Sequence, residues 1–126
     1  MTSSPLRDIG QVFIPVRDIV ASAAWYEQLL GVRASAPSHE KTIVDLPTPS
    51  GPRLALDSTA PFTADGPPRF FWWADRLGDV VAHLDALGIA VHAGPVDIGS
   101  VSFVQFRDPD GNLLMACAQN EPLPSP

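Results

Sequence analysis

One cysteine, Cys117, stands in a chain of 126 residues. A disulfide within the chain is therefore excluded, and a reducing compartment fits. Basic residues are also scarce, with eight Lys and Arg against fourteen Asp and Glu and a formal net charge of −6. That balance argues against nucleic acid or an anionic membrane surface as partner and is compatible with a neutral or cationic ligand. No stretch approaches the roughly 20 apolar residues of a membrane span. The opening MTSSPLRDIG lacks the apolar core of a signal peptide, so the expected location is cytoplasmic. A glycine-rich phosphate loop, a nucleophile elbow and a paired-cysteine motif are missing as well.

What is present is a core. Hydrophobic residues make up 45% of the chain, enough for one compact domain at this length. Two helical segments share one design. DIVASAAWYEQLLG opens on Asp18, a good N-cap, and closes on Gly31; DRLGDVVAHLDALG does the same from Asp75 to Gly88. In the second, Leu77, Val80, Val81, Leu84 and Leu87 form one apolar stripe at helical period. In the first, Trp25 and Leu29 are the expected buried anchors.

Each helix follows a short apolar strand, QVFIPV or RFFWWA. Each precedes three strand candidates: VRASA, KTIVDL and PRLALD in one case, AVHA, VSFVQF and NLLMAC in the other. The last strands align, with PSGPRLALD over PDGNLLMAC. Gly51 then lies on Gly111, Ala55 on Met115 and Asp57 on Cys117. Before the final strand, Asp108 to Gly111 reads as a tight turn. The expectation is an α+β fold of two tandem βαβββ modules. Module one covers about 8–57, a linker 58–68, module two about 69–119, and a disordered tail 120–126.

The segments FIPVRDIVASAAWYEQLLGV and FVQFRDPDGNLLMACAQ resemble the vicinal oxygen chelate superfamily, which includes glyoxalase I, extradiol dioxygenases, fosfomycin-resistance enzymes and bleomycin-binding proteins. The resemblance covers roughly Asp8 to Gln119. It implies curved four-stranded modules that form a cup-shaped mixed sheet with helices outside, and it implies a homodimer. It does not by itself set the chemistry. Metal-using members place a His or Gln on the first strand of each module and a carboxylate on the last. Carried over, those positions fall on Gln11 and Ala55 in module one, with Asp57 two residues on, and on Arg69 or Pro68 and Met115 in module two. Only Gln11 is a suitable donor, because Met suits soft ions rather than the divalent ions of an open catalytic site. His39, His83 and His92 are scattered. The expectation is no metal and no other cofactor.

The aromatic stretch RFFWWAD supplies an alternative use for such a cup. Alternation sends Arg69, Phe71 and Trp73 to one face and Pro68, Phe70 and Trp72 to the other. We expect Trp73 on the ligand side. The candidate ligand-binding residues are Gln11, Phe13, Asp57, Arg69, Phe71, Trp73 and Met115, a mostly apolar set with a few polar groups. They point to a metal-independent protein that sequesters an aromatic or cationic small molecule, as in the bleomycin-binding branch. The alternative is a metal-independent lyase, isomerase or cyclase using Gln11, Asp57 or Arg69. A glyoxalase-type metalloenzyme ranks third. Expected partners are a small-molecule ligand and a second copy of the chain, with no nucleic acid and no membrane.

Overall fold

Residues 4–59 and 66–120 are described by the computed structural model, and they form two helices and seven strands in two sheets, an α+β fold. The expectations for 60–65 of the linker and 121–126 of the tail lie outside the described residues. The chain divides into two units, Met1–Phe62 and Thr63–Pro126. Among the described residues no helix is long and apolar enough to cross a membrane.

In the first unit, β1 (Gln11–Pro15) leads to α1 (Ile19–Leu30), then β2 (Ile43–Leu46) and β3 (Arg53–Asp57). The start of α1 follows from Asp18. Its carboxylate accepts from the backbone N–H groups of Val20 and Ala21, both at 3.1 Å, and so satisfies two donors that the helix leaves open. Gly31 ends the helix at φ 65°, a conformation that suits glycine. The sheet order is β1-β3-β2, with β3 parallel to β1 and antiparallel to β2. Ile14, Val44, Leu46, Leu54 and Leu56 are buried, as alternation requires for the side facing α1. Leu29 is buried as expected. Trp25 is only half-buried, and the fully buried anchor is its neighbour Tyr26, whose ring it meets edge-on at 4.8 Å.

The expected VRASA strand does not form. The described residues of this unit form three strands, not four. The segment does run beside β2, where Ser35 N–H donates to the Asp45 carbonyl at 2.9 Å. The return bond, however, goes from Asp45 N–H to the Ser35 hydroxyl, also at 2.9 Å. A side-chain oxygen thus takes the place of a ladder carbonyl, the usual way serine competes with regular structure.

In the second unit, β4 (Trp72–Trp73) leads to α2 (Leu77–Ala86), β5 (Val91–Asp97), β6 (Val101–Arg107) and β7 (Leu113–Gln119), in the sheet order β4-β7-β6-β5. The first strand is again parallel to the last. The predicted stripe holds: Leu77 and Leu84 are buried, and Leu77, Val80 and Val81 pack on Val104, Ala116 and Ala118. Burying a side chain such as Leu84 is worth about 1.5–3 kcal/mol. Asp75 is not the N-cap. That position belongs to Arg76, which makes no capping bond with its side chain. RFFWWA contributes only two strand residues. Pro67 and Pro68, just upstream, have no N–H to pair.

The DPDG turn is closed by its own side chains. Gly111 N–H donates to the Asp108 carbonyl at 2.9 Å, and Gly111 takes φ 91°. The buried Asp108 carboxylate accepts from Asp110 N–H, Asn112 N–H and the Asn112 amide at 2.8–3.0 Å. At the far end of β7 the expected disorder begins too early. Asn120 is tied to Ser100, Asp97 and Gly99 by hydrogen bonds of 2.7–3.0 Å.

Candidate functional site

Each sheet has a face turned away from its helix, and the candidate residues fall on these faces. In the first sheet, register places Phe13, Ala55 and Asp45 in one row across β1, β3 and β2. Gln11 and Asp57 lie on the same side by alternation. Phe13 is 52% exposed, high for a phenylalanine within a strand. Asp57 is engaged locally, since its Oδ1 accepts from the N–H and hydroxyl of Thr59 at 2.8 and 2.7 Å. That bonding makes it a turn former at the end of β3.

Gln11 has a partner that sequence reading missed. Its Nε2 donates to Asp45 Oδ1 at 2.8 Å. The two side chains come from β1 and β2 and meet across the central strand, where Ala55 is completely buried. A small residue at 55 leaves room for the bridge. The signal for Asp45 was available: a carboxylate between Val44 and Leu46 in a strand must face away from the apolar side.

In the second sheet, Trp73 pairs with Cys117 and Trp72 with Ala116. Trp72 lies on the helix side, stacked on Phe106 at 6.3 Å and 14°. Trp73 lies on the other side and is 58% exposed, with Phe71 against it edge to face at 4.8 Å and itself 43% exposed. Met115, half-buried and paired with Gln105, belongs to the same side as Cys117. A recess of about 320 Å³ is lined by Trp73, Ala74, Asp75 and Gln119. Asp75 and Gln119 were not expected there, Asp75 having been assigned to the helix cap. The buried Cys117 thiol has its pKa raised by desolvation, which disfavours the nucleophilic thiolate.

The strand registers also decide between Arg69 and Pro68. Pro15 pairs with Asp57 as Trp73 pairs with Cys117, so four residues back from each stand Gln11 and Arg69. The positions that the resemblance assigns to metal ligands therefore fall on Gln11, Ala55, Arg69 and Met115. This set does not fit a catalytic divalent ion. Ala55 has no donor, Arg69 is cationic and Met115 is soft, which leaves only the Gln11 amide oxygen, too few donors for such an ion. His39, His83 and His92 are all exposed, and no group of three or more His, Cys, Asp or Glu side chains suited to a metal ion occurs among the described residues.

Solved structures with the same fold include TnmS3, an antibiotic binding protein from Streptomyces sp. CB03234, at 21% identity and TM-score 0.79, covering 94% of this chain and 100% of that one. A lactoylglutathione lyase from Agrobacterium tumefaciens is 21% identical with TM-score 0.71, covering 91% and 96%. A glyoxalase/dioxygenase from Nostoc punctiforme is 20% identical with TM-score 0.69, covering 96% and 98%. At these identities the likeness shows the fold and leaves the chemistry open. The sequence profile of one family matches residues 8–116, nearly the whole chain, and on that match the protein belongs to the Glyoxalase/Bleomycin resistance protein/Dioxygenase superfamily.

Proposed function

We propose that this protein binds and sequesters an aromatic or cationic small molecule without using a metal. The observation that carries the reading is the exposed Phe71–Trp73 pair beside a recess that also offers the Asp75 carboxylate. An indole face next to an acid suits a planar cation, since ring and carboxylate both attract positive charge. Arg69 and Met115 border the same aromatic wall, and Met adapts its shape to a ring. Gln11, Phe13 and Asp57 supply the corresponding positions on the first sheet. The binding of an antibiotic is named for TnmS3, not for this chain, but it makes compounds of that kind reasonable first probes.

Titration with aromatic cations and natural-product scaffolds tests the proposal through tryptophan fluorescence. Quenching should saturate and survive EDTA. Trp73→Ala should weaken binding tenfold or more, and association should slow as salt rises, given the net charge of −6. Quenching that needs an added divalent ion would overturn the metal-free reading. Catalytic turnover of a substrate without metal would replace it with the lyase, isomerase or cyclase reading. The binding form is proposed to be a two-fold homodimer, because such small sheets leave edges to cover. Light scattering should give about twice the 13.5 kDa chain mass.

A further inference from the structure

The first sheet carries a polar site that the aromatic wall of the second does not account for. Gln11 Nε2 donates to Asp45 Oδ1, which leaves Gln11 Oε1 and Asp45 Oδ2 as two acceptors with no protein partner among the described residues. Gln11 is exposed. Asp45 is half-buried, yet no buried side-chain oxygen or nitrogen lacks a partner among the described residues. Oδ2 is therefore open to solvent. Phe13 stands in the same row as Asp45, half of its surface uncovered. Beneath the bridge, Ala55 fills the position where metal-using relatives would hold a carboxylate.

We infer that the Gln11–Asp45 bridge, closed over Ala55, is a recognition site for a protonated ligand nitrogen bearing at least two N–H bonds, such as an amidinium, a guanidinium or a primary ammonium. The inference rests on the binding reading above and adds to it the class of polar group that the first sheet would take. Charge complementarity selects this occupant. The open oxygens of Asp45 and Gln11 are both acceptors and Asp45 is anionic, so the bridge itself favours a cationic N–H donor. The second Gln11 amide N–H and the exposed Arg53 guanidinium, opposite Gln11 on the same face, are the donors that a neutral or anionic acceptor would meet. An N–H cation satisfies both oxygens, and Phe13 offers its ring to the adjoining aromatic or cationic group. The bridge itself fixes the carboxylate. Gln11 is thus a positioning residue as well as a contact.

Benzamidine and its neutral analogue benzamide make a matched pair of probes for NMR titration of the full chain. Benzamidine should shift the Gln11 side-chain amide and the backbone amides of Phe13, Asp45 and Ala55 saturably, and benzamide should do so at least tenfold more weakly. Asp45→Asn, nearly isosteric, should reduce the benzamidine response at least tenfold. Gln11→Leu, an exposed change that leaves folding intact, should reduce it severalfold. Equal responses to the two probes, or an undiminished response in Asp45→Asn, would overturn the inference. If benzamidine moves only the Trp73 indole signal, the site on the first sheet is refuted and the aromatic recess stands. If it moves the Gln11 amide and leaves Trp73 unaffected, this site stands and the aromatic recess loses its support.

Discussion

Two adjacent tryptophans should have opposite consequences when removed. Trp72 faces the helix side of its sheet, half-buried, stacked on Phe106 and edge-on to Phe70 at 4.9 Å. Truncating a buried Trp or Phe to Ala costs about 3–5 kcal/mol, and a half-buried ring belongs at or below the lower end of that range. Trp72→Ala should therefore cost about 3 kcal/mol, or roughly 10 °C of Tm for a chain of this size. Trp73 keeps 58% of its surface in water, and its main packing partner is Phe71. Losing that edge-to-face contact costs about 0.5–1.5 kcal/mol. Trp73→Ala should accordingly lower Tm by only a few degrees while abolishing most ligand-induced quenching. Urea unfolding followed by far-UV circular dichroism measures the first quantity without relying on indole fluorescence. Equal destabilisation by the two substitutions would refute the assignment of faces.

Gly94 makes a sharper case for backbone. It sits at φ 92° in β5, and a Cβ there would come within 2.5 Å of the Phe103 carbonyl oxygen and 3.2 Å of Val104 Cα. Backbone atoms of β6 cannot rotate away, so Gly94→Ala should cost more than about 1–3 kcal/mol in urea unfolding, the usual range for overpacking. Cys117 should resist Ellman's reagent in the folded protein and react freely once unfolded. Because burial raises its pKa, the unfolded thiol loses its proton near pH 8.5 while the folded one keeps it. Stability should therefore fall as pH rises through that value, and Cys117→Ser should flatten the alkaline limb of the profile. Ala55→Glu would push a second carboxylate under the Gln11–Asp45 bridge. It should destabilise by at least about 1–3 kcal/mol, and added Zn²⁺ should not restore the lost Tm.

Much of this was legible in the sequence, for identifiable reasons. Asp18, Gly31 and the stripe from Leu77 to Leu87 encode their helices locally, and those helices stand where expected. The alignment of PSGPRLALD over PDGNLLMAC set Asp57 on Cys117, and these two residues do hold equivalent places, opposite Pro15 and Trp73 of the first strands. Alternation in RFFWWAD separated Trp72 from Trp73 correctly. The failures came from side chains that compete with backbone. Ser35 replaced a ladder carbonyl with its hydroxyl and removed a strand. Asp75 resembled a cap but lines a recess. Asp45 was passed over because its partner lies on a strand 34 residues away, a separation that no local pattern records.

The two sheets keep one topology and have parted in chemistry. Phe13 and Phe71 occupy equivalent places, each two residues after Gln11 or Arg69, so the aromatic element is common to both. Around it the polar residues differ. Asp45, paired with Ala55, corresponds to Gln105, paired with Met115, and Gln11 corresponds to Arg69. A catalytic divalent ion needs three or more converging N, O or S donors with an open position. Here one module offers an amide locked to a carboxylate, and the other offers a guanidinium and a thioether. These substitutions change charge as well as size, and no single side-chain replacement would recover a metal site. Each sheet's set has its own complement: the acceptor pair beside Phe13 suits an N–H cation, and the indole beside Phe71 suits a planar ring.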